Sequence, residues 1–259
     1  LQLGSSLRLW CLWPVQSSFM PVGDVFGLRQ LRSCDMSHPL REVLAQVASD
    51  SCPGSFNFHC HTVCSDGSLD PVGLVQQATD LGLTHLAVTD HHSSHAHAPM
   101  QAWLDQRRSL GERVPTLWSG MEISALLKGC LVHVLALGFE LNHDALKPYN
   151  HGDSVVGEAL RAESVVNAIH QAGGLAVLAH PARYRLSHGV LIEEAARLGF
   201  DGGEAWYDYD MNPAWAPSPL ICDSIDRQLA NLGLLRTCGT DSHGIDLCGR
   251  SVRYTTALV

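Results

Sequence analysis

The sequence predicts an α/β fold, a parallel sheet with helical crossovers of the barrel kind. Three observations predict it. Short apolar runs with strand character alternate with helical periodicities along most of the chain. The 259 residues, 46% hydrophobic and 17% charged, suit one large domain with a sizeable core. And strand after strand ends in a potential metal ligand, which matters because C-terminal strand ends converge on one face of an α/β barrel.

Taken in order, the elements are these. Apolar side chains at Leu40, Val43, Leu44 and Val47 have helical spacing. Ser51-Cys52-Pro53-Gly54 breaks that helix, and the apolar run 56–58 is the first strand. It ends in His59-Cys60-His61. Residues i and i+2 of a strand share a face, so both imidazoles aim at one point. Asp66 follows in the turn Ser65-Asp66-Gly67. Asp70 as N-cap and Pro71 at the first helical position open a helix that runs to about Asp80 and ends at Gly82. Residues 85–90 form a buried strand ending in Asp90-His91-His92, and a helix spans about 96–110. The strand 116–123 delivers Glu122, and the strand 131–138 holds His133 among apolar neighbours. The polar, turn-rich stretch 142–157 is assigned no regular structure. A helix over about 160–171 stops at Gly173-Gly174, and the strand 175–180 ends in His180-Pro181. A helix near 190–198, a strand through Gly203-Glu204-Ala205-Trp206, a proline-rich loop 212–219 and a helix to about 232 follow. The last strand, 234–239, ends in Thr240-Asp241-Ser242-His243-Gly244.

Composition narrows the function classes. A net charge of −9 argues against a broad basic face gripping duplex nucleic acid, but a small anionic substrate is compatible because bound cations reverse the local field. The 9 cysteines are odd in number and form no Cys-x-x-Cys, the pattern of scattered thiols in a reducing cytoplasm. Cys60 and Cys64 are accordingly not expected as ligands. No apolar run reaches the length of a membrane span. The apolar stretch 7–15 is interrupted by Pro14 and reads as a poor signal peptide. Met36 opens an ordinary start, so residues 1–35 are expected to be disordered or an upstream extension, and 36–259 a single domain.

The candidate ligands are His59, His61, Asp66, His91, Glu122, His133, His180, Asp241 and His243. Imidazole and carboxylate suit Zn, Fe, Mn and Mg ions. Taken singly, His133 reads as a hydrogen-bonded core histidine, His180 as a strand terminator, and Asp90 as an N-cap or a carboxylate orienting an imidazole. One shared metal site accounts for the whole set with a single assumption. His92, His95 and His97 read as solvated loop residues, and His85, His143, His151, His170 and His188 as surface residues.

The segments His59-Cys60-His61, Ser65-Asp66-Gly67, Thr89-Asp90-His91, Gly120-Met121-Glu122, Val132-His133, Ala179-His180-Pro181 and Gly239-Thr240-Asp241-Ser242-His243 resemble, in order, the motifs of the polymerase and histidinol phosphatase (PHP) family of metal-dependent phosphoesterases. The similarity covers 55–250. It implies a distorted (β/α)7 barrel with three divalent ions (Mn, Zn, Fe or Mg). It implies one ion on His59, His61, Glu122 and Asp241, a second on Glu122, His133 and His180 with Glu122 bridging, and a third on Asp66, His91 and His243. The spacing is closest to a branch of nucleoside 3′,5′-bisphosphate phosphatases and 5′–3′ exonucleases acting on short RNA or DNA. By that resemblance Arg183 contacts substrate phosphate and Glu204 lines the nucleoside side of the pocket; phosphoester hydrolysis also needs a proton for the leaving group, for which Asp90, Asp241 and His243 are the candidates. The chain departs from the branch in one respect: the interval 138–160 is short where a long helical insertion is usual, and Lys147 and Arg161 are the only cations in or beside it. The expected substrate is thus a phosphorylated small molecule or short oligonucleotide, met in the cytoplasm. Two alternatives stand beside this. An amidohydrolase acting on a C–N bond would carry a metal-bridging lysine, whereas Lys128 and Lys147 lie in turn-like contexts. A non-catalytic PHP module would usually have lost ligands, and none is missing.

Overall fold

The structure, a computed structural model, describes residues 38–249. The expectations for residues 1–35 lie outside them. The α/β class holds. Strands β1 (Phe56–Asn57), β2 (His85–Ala87) and β3 (Thr116–Trp118) form a parallel sheet in the order β1-β2-β3. Strands β4 (Gly120–Leu127), β5 (Cys130–Leu137), β6 (Leu175–Leu178), β7 (Gly202–Trp206) and β8 (Leu235–Cys238) form a second sheet in sequence order. The helices are α1 (Pro39–Leu44), α2 (Pro71–Asp80), α3 (His97–Ser109), α4 (Ala162–Gln171), α5 (His188–Leu198) and α6 (Pro219–Asn231).

Three sequence expectations need correction. The sheet is not parallel throughout: β5 runs antiparallel to both β4 and β6. The cause is local. Lys128 and Gly129 have φ of 51° and 72°, and Leu127 pairs with Cys130. Two consecutive positive φ values make the tight two-residue turn that matches strand twist, so the chain doubles back without a helix. The single strand expected over 116–123 is two strands in different sheets, divided at Ser119. There the Ser119 hydroxyl donates to the carbonyl of Phe139 at 2.6 Å, and its carbonyl accepts from Gly138 N at 2.8 Å. The stretch 142–157 carries 3-10 turns at Asp144–Tyr149 and, overlapping its end, Gly157–Leu160.

The helix signals act as read. Asp70 accepts from Gly73 N at 3.0 Å, and α2 stops just before Gly82, whose φ of 79° is left-handed. Strands of the second sheet with α1, α4, α5 and α6 enclose the larger core, and Leu74, Leu86, Met100 and Leu104 anchor a smaller one beneath α2 and α3. No helix among the described residues is long and apolar enough to cross a membrane.

The sheets meet at their strand ends. Beyond β1 the chain stays extended beside the end of β8: Phe58 N donates to Cys238 O at 3.0 Å, Asp241 N to His59 O at 2.7 Å, and His61 N to Ser242 O at 3.1 Å. On the other flank Glu122 N donates to Asp90 O at 3.2 Å and His92 N to Glu122 O at 3.0 Å. These contacts carry the polar residues that follow β1, β2 and β8 to the same place as Glu122.

Candidate metal centre

His59 and His61 alternate on the extended segment after β1, and their rings lie 5.3 Å apart. His59 Nε2 is 3.1 Å from Glu122 Oε2 and 3.3 Å from Asp241 Oδ1, and His61 Nε2 is 3.1 Å and 3.2 Å from the same two oxygens. His133 Nδ1 and His180 Nε2 approach the other oxygen of Glu122, Oε1, at 2.7 Å and 3.3 Å. His91 Nδ1 is 3.6 Å from Glu122 Oε2, and its Nε2 is 3.8 Å from Asp66 Oδ2. His243 Nε2 is 3.3 Å from Asp66 Oδ1. All nine candidate ligands are therefore gathered in one place. Seven of them, with Arg183 and Tyr184, line a cavity of about 310 Å³; His59 and His61 lie beneath it.

Among the described residues the ligand atoms fall into three groups within which every atom lies within 4.8 Å of the others: His59, His61, Glu122 and Asp241; His61, Asp66, His91 and His243; and His91, Glu122 and His133. The last has His91 where the resemblance implies His180, while His180 approaches Glu122 Oε1 at 3.3 Å outside these groups. The geometry suits cations. Four ligands at the corners of a tetrahedron, each about 2.0–2.2 Å from its centre, stand roughly 3.3–3.6 Å apart. The first group's His-to-carboxylate spacings of 3.1–3.3 Å approach that figure. His61 Nε2, Glu122 Oε1 and His133 Nδ1 are buried without a hydrogen-bond partner of acceptable geometry, although the last two are close together. Buried polar atoms are rarely left so, and imidazole nitrogens converging on carboxylate oxygens suit a bound cation.

Electrostatics agree. Burial alone would lower the pKa of His59, but Glu122, Glu204 and Asp241 outweigh it and hold it well above the ordinary value. Burial is likewise overcome at His61 by Asp241 and Glu122, which push it up to about 9. Burial would raise Glu122 and Asp241; the surrounding imidazoles keep both well below the usual carboxylate range. At the half-buried His91 burial wins, with His61 and His133 adding to it against Glu122, and the pKa falls to about 4. His180 and Asp241 have positive φ, 25° and 50°, the kind of backbone strain that clusters at functional sites.

Two expected site residues stand behind the cluster. Glu204, expected on the nucleoside side, is fully buried and absent from the cavity lining. Its oxygens lie 3.1 Å and 3.2 Å from His59 Nδ1, and Oε2 accepts from His180 N at 2.8 Å. A carboxylate so placed fixes an imidazole's orientation and tautomer. The buried Asp90 carboxylate accepts from Thr62 N, Thr62 Oγ1 and Ser65 Oγ at 2.7, 2.6 and 2.7 Å, holding the turn that carries Asp66. Arg183 lines the cavity, with its side chain 44% exposed. His92 is a further correction: it is buried, its Nε2 accepts from Ser124 N at 3.1 Å, and its Nδ1 meets Tyr149 O at 3.2 Å. Cys60 points away, toward Ala87 O.

One residue escaped sequence reading. Tyr207 Oη donates to Asp241 Oδ2 at 2.6 Å and accepts from Arg183 Nη1 at 2.8 Å. Strand alternation puts Glu204 and Trp206 on one face and Tyr207 on the other; a register shift between Glu204 and Trp206 overrides it. Only an aromatic residue shortly after a strand-borne carboxylate marked the position.

No family model matches the chain. The chain is 26% identical, over 52% of its length, to the 5′–3′ exoribonuclease Rnm of Escherichia coli, and 29% identical, over 66%, to a 5′–3′ exoribonuclease of Haemophilus influenzae. Those matches span 49% and 64% of the relatives. Among solved structures, a Bifidobacterium adolescentis protein assigned as a metal-dependent phosphoesterase aligns with a TM-score of 0.57 at 22% identity, over 74% of this chain and 88% of that one. The resemblance to PHP phosphoesterases holds. An amidohydrolase from Chromobacterium violaceum shares the fold equally, with a TM-score of 0.62 at 20% identity over 75% of this chain and 90% of that one. The PHP-like fold and the histidine–carboxylate cluster together suit divalent metal ions.

Proposed function

We propose that this domain, spanning 36–259, hydrolyses phosphate esters of nucleotides or short 5′-phosphorylated oligonucleotides in the cytoplasm, using three divalent ions held by the nine clustered side chains. The observation that carries the reading is the convergence of three mutually adjacent ligand groups on Glu122 and His61 at the floor of one cavity. The interleaved strand ends support a further reading of the two sheets as arcs of one distorted (β/α)7 barrel.

Phosphoester hydrolysis at neutral pH needs a nucleophile and a sink for negative charge, and clustered divalent ions supply both when bound. The chain's residues do the rest. Glu122 divides its two oxygens between neighbouring groups and so fixes their spacing. Arg183 presents a half-exposed guanidinium to the cavity, where planar N–H pairs match phosphate oxygens. Glu204 keeps His59 oriented. Asp90 has three donors on its carboxylate and lies away from the cavity, which leaves the leaving-group proton to Asp241 or His243.

The test is direct. Protein stripped with EDTA is returned to Mn²⁺ or Zn²⁺ and assayed for phosphate release from adenosine 3′,5′-bisphosphate and for nucleotide release from 5′-phosphorylated oligonucleotides. Activity should vanish on stripping and return with metal; full activity after complete metal removal rejects the scheme. The amidohydrolase alternative shares the fold, but Lys128 and Lys147 have side chains 55% and 66% exposed, outside the cavity, and Glu122 is the residue that would stand between neighbouring ions. Amide substrates should therefore be inert in the same assay.

A further inference from the structure

Asp241 uses its two carboxylate oxygens differently. Oδ1 faces the cluster, 3.3 Å from His59 Nε2 and 3.2 Å from His61 Nε2. Oδ2 faces away from it and receives Tyr207 Oη at 2.6 Å and Arg183 Nη1 at 3.0 Å. Arg183 Nη1 also donates to Tyr207 Oη at 2.8 Å, which closes a three-membered ring of hydrogen bonds. Tyr207 is fully buried, its ring 5.4 Å from that of His180 and 4.8 Å from that of Tyr209. Arg183, by contrast, is half exposed and reaches the cavity. One buried phenol thus touches a group facing the metal cluster and a group facing the substrate space.

We propose that Tyr207 is a positioning residue that sets Asp241 toward the cations and Arg183 toward the substrate phosphate; this rests on the phosphoesterase reading above. The chemistry follows from the ring. A phenol O–H of 2.6 Å reach to a carboxylate is a charge-assisted bond, stronger than a neutral one. It occupies Oδ2 and so leaves Oδ1 as the oxygen offered to the cluster. With Oδ2 shared, Arg183 is held by one nitrogen, and its other N–H groups make no hydrogen bond among the described residues. Without the phenol, Arg183 can close a two-toothed pair on Asp241, the geometry guanidinium and carboxylate favour. That would withdraw it from the substrate and pull Asp241 off the cluster. The bulge in β7 is what delivers Tyr207 there: residue 207 shares a face with Glu204 at a spacing of three, which an unbroken strand forbids.

The test compares Tyr207→Phe, Arg183→Ala and the double variant in two readouts: Mn²⁺ affinity by calorimetry, and the KM and kcat for adenosine 3′,5′-bisphosphate. Tyr207→Phe should weaken Mn²⁺ binding ~10-fold, the lower range for loss of an outer partner of a metal ligand, and raise KM by a similar factor. Arg183→Ala should raise KM and leave Mn²⁺ affinity near wild type. In the double variant assayed at saturating Mn²⁺, KM should match that of Arg183→Ala alone, because with the cation sites filled the tyrosine acts on substrate only through the arginine. Additive KM effects, or a Tyr207→Phe protein with wild-type Mn²⁺ affinity and KM, would overturn the proposal. If Tyr207→Phe does not fold, Arg183→Ala decides by itself: Mn²⁺ affinity that falls ~10-fold would show that the arginine, not the phenol, holds Asp241. A wild-type protein that releases no phosphate defeats the phosphoesterase reading instead, and the Mn²⁺ titrations still judge Tyr207.

Discussion

At the scale of single residues, Glu122 is the side chain with the most dependents. Its oxygens approach five imidazoles, His59, His61, His91, His133 and His180. Glu122→Gln should cut hydrolysis by more than ~100-fold and lower bound metal, since even an outer partner's loss costs up to that; metal analysis of the purified variant checks it. Glu204→Gln should weaken metal binding by about 10–100-fold while leaving the cavity lining intact, read by Mn²⁺ titration. Gly239 is needed for a different reason. A Cβ there would stand 2.2 Å from His59 Cβ and 2.7 Å from its backbone nitrogen. Gly239→Ala should cost about 1–3 kcal/mol by forced displacement, about 2–4 °C of Tm per kcal/mol in a domain of this size. Most of the candidate ligands were legible because they follow a strand, where the apolar run stops; Glu122 and His133 instead lie inside β4 and β5, the first near its start rather than at the strand end expected of it. Glu204 was legible as important but not in its role, because sequence does not say whether a strand-borne carboxylate faces substrate or stands behind a histidine. His92 could not be told from its solvated neighbours, since the carbonyl and amide it meets belong to Tyr149 and Ser124.

At the scale of elements, the β4–β5 hairpin is the departure from simple β/α alternation, and it brings His133 across from Ser124, two pairs along from Glu122 and so on the same face of the sheet. Its tip depends on Gly129, where an added Cβ meets nothing closer than Arg185 Nη2 at 3.8 Å. The strain of Gly129→Val is therefore backbone alone, about 1–2 kcal/mol for a non-glycine residue in the left-handed region. Chemical denaturation should show that loss with the His133 site preserved. The helix capped by Asp70 was readable from local chemistry, whereas a helix near 190–198 misses the cap that Ser187 gives α5, which begins at His188, earlier than expected. The reversal at Lys128-Gly129 is also written locally, but two strand runs flanking a short turn read equally well as separate entries into a parallel sheet. The break at Ser119 was not local at all. It reflects bonds to Gly138 and Phe139, nineteen and twenty residues on.

At the scale of the whole molecule, Asp201 ties four elements together away from the metal cluster. It meets Arg41 of α1 and His170 of α4, accepts from Ala176 N of β6 at 2.9 Å, and sits just before β7. Burial would raise its pKa, but His170, Ala176 N and Arg41 prevail and hold it below the ordinary 3.8. A depressed carboxyl pKa contributes stability that is complete above the ordinary value and is lost as pH falls through the folded one. Thermal melts should thus weaken below about pH 4, and Asp201→Asn, less stable at neutral pH, should lose that part of the acid dependence. The hydrogen bonds between Asp241 and His59, and between His61 and Ser242, also have a consequence for how the protein is made. The first ligands to leave the ribosome are His59 and His61, and the last are Asp241 and His243. A nascent chain halted after His180 but before Asp241 therefore holds His59, His61, His91, His133 and His180 without the strand end that bonds to the first two.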